Sequence, residues 1–252
     1  MKIQGARVLI TGGGRGLGRE FARQFLDAGA KVMVCDVVDA DLTAAAEEAK
    51  GKGQELLTAR CDVTKEAEVQ QTFAKMAESF GGIDVLVNNA GITRDGMFAR
   101  KKDGEVKTMT LDQWQKVLDV NLTGVFLCAR EAVTWMLRKD NPGVVINISS
   151  ISRAGNMGQS NYSTTKAGVV ALTVALAKEL ARSRIRVACI APGYTATEMV
   201  LAMREDMQDK VKSTIPLARF AEPNEIVRAA LFIVDDDYFT GRTIEVDGGL
   251  RL

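Results

Sequence analysis

The sequence predicts an α/β fold: a Rossmann-like, doubly wound parallel sheet of about seven strands with helices on both faces. Three observations carry this. Short apolar runs alternate with helical patterns along nearly the whole chain. The runs are apolar on both faces, as expected of strands covered on both sides. Turn residues and polar residues cluster directly after the runs, where such sheets bind ligands, beyond the strands' carboxyl ends at a topological switch point.

The elements follow in order. Arg7 to Thr11 is an apolar run ended by Gly12-Gly13-Gly14-Arg15-Gly16-Leu17-Gly18. Leu17, Phe21, Phe25 and Leu26 then recur at helical spacing, and Gly29 closes that helix. Lys31 to Asp36 is the second strand, which completes a βαβ unit of right-handed crossover. Leu42 to Lys50 is helical, Glu55 to Cys61 a strand, and Glu66 to Phe80 a helix stopped by Gly81-Gly82. Ile83 to Val87 is the fourth strand, followed by Asn88-Asn89-Ala90-Gly91. Residues 92–109 read as a loop or irregular insert. A long helix is expected from Leu111 to Arg138, a fifth strand over Val144 to Ile148, and a helix from Tyr162 to about Arg182. Ile185 to Ile190 is the sixth strand, ending in Ala191-Pro192-Gly193. Residues 194–221 read as irregular with one short helix near Glu198–Lys212. Pro223 opens the last helix, a favoured first-turn position, and Thr243 to Val246 is the last strand. No linker or repeat interrupts the 252 residues, so residues 1–252 are expected to form a single dinucleotide-binding and catalytic domain.

Composition excludes several functions. The net charge of +1 offers nothing to nucleic acid or an anionic membrane, and the apolar runs are too short and too charged to span one. The start runs directly into a strand, with no signal peptide ahead of it. The four cysteines (Cys35, Cys61, Cys128, Cys189) form no CxxC pair. They read as small buried hydrophobes in a reducing, cytoplasmic setting. There is no histidine, so Ser-His-Asp and Cys-His catalysis and His-ligated zinc are out, and no metal site is expected. Any acid or base must be Asp, Glu, Lys, Tyr or Cys.

The glycine turn has the form T-G-x-x-x-G-x-G, with Gly12, Gly16 and Gly18. A tight turn there brings backbone close to a pyrophosphate, and a helix N-terminus supplies N–H groups and positive potential. Asp36 ends the second strand, 20 residues after Gly16. A carboxylate there accepts from a ribose 2′-hydroxyl and repels a 2′-phosphate, which favours NAD(H) over NADP(H). Arg15, inside the turn, is a cation that could pair with a 2′-phosphate, but Asp36 lies where the 2′ position should be. Asp62 follows the third strand and could accept from an adenine amino group or serve the next helix as a cap. Tyr162 and Lys166 are four apart and share one helix face, so the phenol could be tuned by the ammonium.

These motifs together resemble the classical short-chain dehydrogenase/reductases. They are TGGGRGLG, NNAG at 88–91, Asn121 in VNLTG, ISS at 148–150, YSTTK at 162–166 and PG at 192–193. Within that superfamily AGITRDGMF, IPLARFAEPNEI and FTGRTIEVDGGL look like the bacterial 3-oxoacyl-[acyl-carrier-protein] reductases. The resemblance implies catalytic roles for Asn121, a serine, Tyr162 and Lys166. Counting back thirteen from Tyr162 gives Ser149, while aligning the strand end gives Ser150. Only one can face the substrate, since successive strand residues point oppositely; Ser150 is favoured because strands absorb deletions less readily than loops.

The resemblance also implies a cofactor-binding set of Gly12, Arg15, Gly16, Leu17, Gly18, Asp36, Asp62, Val63, Asn89, Ala90, Gly91, Tyr162, Lys166, Pro192, Gly193, Thr195 and Thr197. It implies that Tyr162 protonates the carbonyl oxygen while hydride reaches the carbon, that Lys166, together with a positively charged oxidised nicotinamide, lowers the phenol's pKa and also holds the nicotinamide ribose, and that Asn121 keeps a water behind Lys166. The implied reaction is reduction of a 3-oxoacyl thioester, free or carrier-bound, by a homotetramer. The alternative is an NAD-dependent dehydrogenase of another secondary alcohol (a sugar, a steroid or a small hydroxy compound), which Asp36 favours. Loss of Tyr162 or Lys166 would have marked a non-catalytic dinucleotide-binding regulator; both are present. Met199, Met203 and Met207 share a helical stripe, either a substrate lid or a packed face. Arg100-Lys101-Lys102 and Arg138-Lys139 are basic clusters that either dock an acidic carrier protein or are solvated surface.

Overall fold

Seven parallel strands form the centre of the molecule in the order β3-β2-β1-β4-β7-β8-β9. The computed structural model describes residues 1–252, apart from the side chain of Met199. The strands are β1 (Arg7–Thr11), β2 (Lys31–Asp36), β3 (Leu56–Arg60), β4 (Val85–Asn88), β7 (Gly143–Ile148), β8 (Ile185–Pro192) and β9 (Thr243–Val246). Their apolar residues on both faces have a direct packing cause. Alternate residues enter opposite cores: Val8 and Ile10 pack on one face and Leu9 on the other; Val32 and Val34 on one, Met33 on the other.

One core is closed by α1 (Gly16–Asp27), α2 (Asp39–Gly51) and α9 (Pro223–Asp235), through Phe21, Phe25, Leu42 and Ile233. The other is closed by α3 (Glu66–Phe80), α5 (Gly124–Arg138) and α6 (Ser160–Leu180), through Phe73, Met76, Met136 and Ala177. The chain switches faces between β1 and β4, so the loops after these two strands part and leave a crevice. The expected sheet, its parallel sense and its two helical layers are all present.

Three expectations need correction. The insert at 92–109 holds an antiparallel hairpin, β5 (Ala99–Lys102) and β6 (Glu105–Thr108), pairing Arg100 with Lys107 and Lys102 with Glu105. Its turn is Asp103-Gly104, with φ of 52° and 85°. Positive φ at both central residues is the two-residue hairpin turn that Asp-Gly favours. The charged flanks hid that signal.

The long helix is also two helices, α4 (Leu111–Leu118) and α5, joined by a π-helical turn over Asp119–Thr123. There the Gly124 N–H reaches back to the Asp119 carbonyl. Such a widened turn inside an α-helix often marks a functional position, and it holds Asn121. Between β8 and α9 lie two helices rather than one, α7 (Glu198–Leu201) and α8 (Glu205–Thr214).

Candidate active site

The crevice above the strands' carboxyl ends is a cavity of about 610 Å³. Its floor is the turn after β1. Gly18 lets α1 press on that turn: a Cβ there would lie 2.0 Å from the Gly12 carbonyl oxygen. Gly16 adopts φ of 54°, and a Cβ on it would meet nothing, so its backbone borders open cavity. The first turn of α1 has no side-chain cap and no acidic residue. Its N–H groups and the positive end of the helix dipole are therefore open to an anion. This cradle fits a dinucleotide pyrophosphate.

Gly12, Arg15, Gly16, Leu17 and Gly18 line the cavity, as do Asp36, Asp62, Val63, Asn89, Ala90, Gly91 and Thr197. Asp36 is anchored by its own backbone neighbourhood: Oδ2 accepts from the Gly14 N–H at 3.0 Å and Oδ1 from the Val37 N–H at 2.7 Å. Arg15 turns outward, with Nε 3.7 Å from Asp41 Oδ2. Asp62 lines the cavity, and its Oδ1 accepts from the Thr64 N–H and hydroxyl rather than from an N–H of α3, whose N-cap is Lys65. Asn89 Nδ2 donates to the carbonyls of Thr11 and Gly12 at 3.0 Å each, which ties the loop after β4 to the glycine turn.

A second, smaller cavity of about 140 Å³ contains Ser150, Tyr162 and Gly193, with Thr93, Ser152, Asn156, Gln159 and Tyr194. Four expected residues line neither: Asn121 and Lys166 are buried, Pro192 lies within β8, and the buried Thr195 turns its hydroxyl to the Gly193 carbonyl. Packing places the two serines differently. Ser149 is buried and its hydroxyl donates to the Lys166 carbonyl at 2.7 Å, whereas Ser150 faces the cavity beside Tyr162.

Lys166 is buried between the two cavities. Its Nζ donates to the Ile148 carbonyl at 2.7 Å and lies 5.5 Å from the centre of the Tyr162 ring. Burial lowers the ammonium to about 8. Burial raises the Tyr162 phenol above its ordinary value, the Ser150 hydroxyl opposes this, and the Asp95 carboxylate adds to it. Among the protein's own groups desolvation is the largest influence on the phenol.

Asn121 is fully buried in the π-helical turn. Its Oδ1 accepts from the Ile92 N–H and its Nδ2 donates to the Ile92 carbonyl, both at 2.8 Å. The carboxamide therefore clamps the loop after β4. A Cβ on Gly91 would lie at ordinary contact distance, 3.4 Å from Asn121 Oδ1 and 3.7 Å from Lys166 Nζ, so Gly91 borders both side chains.

Gln159, not anticipated from the sequence, joins two loops over Tyr162. Its Nε2 donates to both Asp95 oxygens at 3.1–3.2 Å, and its Oε1 accepts from Asn156 Nδ2 at 2.9 Å and from the Ser152 hydroxyl at 3.2 Å. Its place at the N-cap of α6, three residues before Tyr162, was the available signal. Val37, Val38, Ile92 and Val120 also line the larger cavity unanticipated, apolar residues just beyond strands or in the π-helical turn.

The methionine stripe is divided. Met203 packs on Ile151, Ile215, Phe220 and Leu250, Met207 is exposed, and the Met199 side chain lies outside the described residues. Arg138-Lys139 ends α5 just before β7, at the amino end of the parallel strands and so at the opposite end of the sheet from the cavities.

A dinucleotide cradle joined to a Ser-Tyr-Lys group defines an oxidoreductase that acts with a nicotinamide dinucleotide. The chain belongs to the short-chain dehydrogenase/reductase family. The family model described as enoyl-(acyl carrier protein) reductase matches residues 12–251. The chain is 41% identical over 248 residues to the 3-oxoacyl-[acyl-carrier-protein] reductase FabG of Staphylococcus epidermidis, covering 97% of this chain and 98% of that one. It is 39% identical over 254 residues to the FabG of Aquifex aeolicus, covering 99% of each. A short-chain type dehydrogenase/reductase from Mycobacterium marinum superposes with a TM-score of 0.89 at 37% identity, covering 98% of this chain and 96% of that one. No helix of the described residues is long and apolar enough to cross a membrane, and no group of three or more potential ligands there could hold a metal.

Proposed function

We propose that this oxidoreductase reduces a 3-oxoacyl thioester to its 3-hydroxyacyl form, with Tyr162 as general acid. The observation that carries the reading is Ser150 and Tyr162 at one small cavity, with Lys166 behind them and the dinucleotide cradle adjoining. The bound dinucleotide supplies the hydride. Ser150 donates to the substrate carbonyl and holds it against the phenol. Tyr162, kept protonated by burial, gives its proton to that oxygen as charge develops. Lys166, fixed by the Ile148 carbonyl, holds the nicotinamide ribose and lowers the energy of the phenolate left behind. Asn121 positions the loop after β4 by clamping Ile92.

Asp36 selects NAD(H): its carboxylate borders the cavity at the end of β2, while Arg15 turns to Asp41. Residues 1–252 act as one catalytic domain in a reducing, cytoplasmic setting that suits four free, buried cysteines. Four subunits assemble through exposed apolar residues such as Phe126 and Leu137 on α5 and Phe232 on α9. Light scattering at micromolar concentration reads that state directly.

A second reading, an NAD-dependent dehydrogenase of another secondary alcohol, draws on Asp36 and on the polar Ser152, Asn156 and Gln159 of the smaller cavity. One panel separates the two: acetoacetyl thioesters against simple ketones and secondary alcohols, each with both dinucleotides. Preference for the thioesters supports the first reading; preference for a hydroxylated compound supports the second.

A further inference from the structure

The β5–β6 hairpin adds nothing to either core. All eight of its strand residues are exposed, and a lone two-stranded hairpin is marginal in water. It is nevertheless fastened at the mouth of the smaller cavity. Thr93, six residues before β5, lines that cavity. The Gly96 N–H donates to the Gly158 carbonyl at 2.8 Å, and the Met109 N–H donates to the Phe98 carbonyl at 3.0 Å.

Its charge is arranged at a local cost. Arg100 and Lys107 are directly opposite cross-strand partners, and like charges so placed destabilise a hairpin. Among the described residues neither they nor Lys101 nor Lys102 forms an ion pair. Asp103 and Glu105 offset only half of these four cations, in a chain whose total charge is +1. Exposed apolar residues adjoin both parts: Phe98, just before β5, is 74% exposed, and Met157, next to the cavity-lining Asn156, is 85% exposed.

A projecting basic arm with apolar residues at its base matches a protein interface that steers by charge and seats by apolar contact. A small polyanion needs a concave site, and this arm has none. A membrane anchor needs an apolar face opposite its charges, whereas the face opposite Arg100, Lys102 and Lys107 carries Ala99, Lys101, Val106 and Thr108. We propose that the β5–β6 hairpin is the docking surface for an acidic carrier protein, which presents its acyl thioester to the cavity that holds Tyr162.

This rests on the thioester reading above, and its test keeps the two apart. The triple variant Arg100→Glu, Lys102→Glu, Lys107→Glu is compared with the parent on acetoacetyl-carrier protein and on acetoacetyl-N-acetylcysteamine. Binding of the bacterial acyl-carrier protein is measured separately, without turnover. Lys139→Glu, at the far end of the sheet, controls for net charge. The expected result is a roughly tenfold or greater loss of kcat/KM and of affinity with the carrier only, steepest at low salt, with the small thioester within twofold. Equal effects on both substrates, an equal loss in Lys139→Glu, or no carrier binding by the parent would overturn the docking surface. So would binding of the hairpin to anionic phosphatidylglycerol vesicles in place of the carrier. If the parent binds the carrier yet reduces no thioester, the function fails while the docking surface stands.

Discussion

The Lys166 ammonium donates to the Ile148 carbonyl at 2.7 Å while lying 5.5 Å from the centre of the Tyr162 ring. One strand end thus fixes the lysine, and one helix face fixes the tyrosine against it. Burial lowers Lys166 from 10.5 to about 8. The unfolded chain then binds the extra proton between those values, so this residue's contribution to stability rises as pH increases from about 8 to 10.5. Urea unfolding at pH 8 and pH 10 should show that rise in the parent and its absence in Lys166→Met.

Tyr162→Phe keeps the ring and removes the proton. Turnover should fall by ~10²–10⁴-fold, the usual worth of general acid–base catalysis, with the thermal unfolding midpoint nearly unchanged. Steady-state rates within about threefold of the parent would exclude Tyr162 as the acid.

The two serines should separate cleanly. Ser150→Ala should lose most activity while unfolding normally. Ser149→Ala should retain activity better but lose about 1 kcal/mol of stability, the net worth of one buried hydrogen bond, because its hydroxyl serves the Lys166 carbonyl. Paired kinetics and denaturant midpoints read both; equal mild losses of activity would contradict the role of Ser150.

Asp36→Ser should relax dinucleotide choice. The parent should show the higher kcat/KM with NADH, since the carboxylate repels a 2′-phosphate. The variant should gain with NADPH and lose with NADH. A parent preference for NADPH would overturn the assignment.

Asp95 raises the Tyr162 phenol. Asp95→Asn removes that charge, so the phenol should titrate at lower pH. In the oxidative direction, which needs phenolate, the rising limb of the pH–rate profile should move to lower pH. In the reductive direction, which needs phenol, the falling limb should move the same way. Asp95→Asn also weakens the Gln159 clasp, so an unshifted profile with raised KM would assign Asp95 to positioning alone.

The sequence by itself determined whatever depends on neighbours along the chain. The order of strands and helices, the glycine turn before α1, the break at Gly81-Gly82 and the Tyr162–Lys166 spacing are periodic or local signals, and they appear where expected. Tertiary structure decided the rest. Ser149 and Ser150 are chemically identical; only the packing of β7 against α6 buries one under Lys166 and turns the other to the cavity. Asn121 meets Ile92, 29 residues away, and Gln159 meets Asp95, 64 residues away, so neither contact leaves a mark on local pattern. The direction of the Tyr162 shift depends on how much water the surrounding loops exclude. Burial and side-chain direction are properties of the assembled sheet and its covering helices, and a one-dimensional pattern does not specify them.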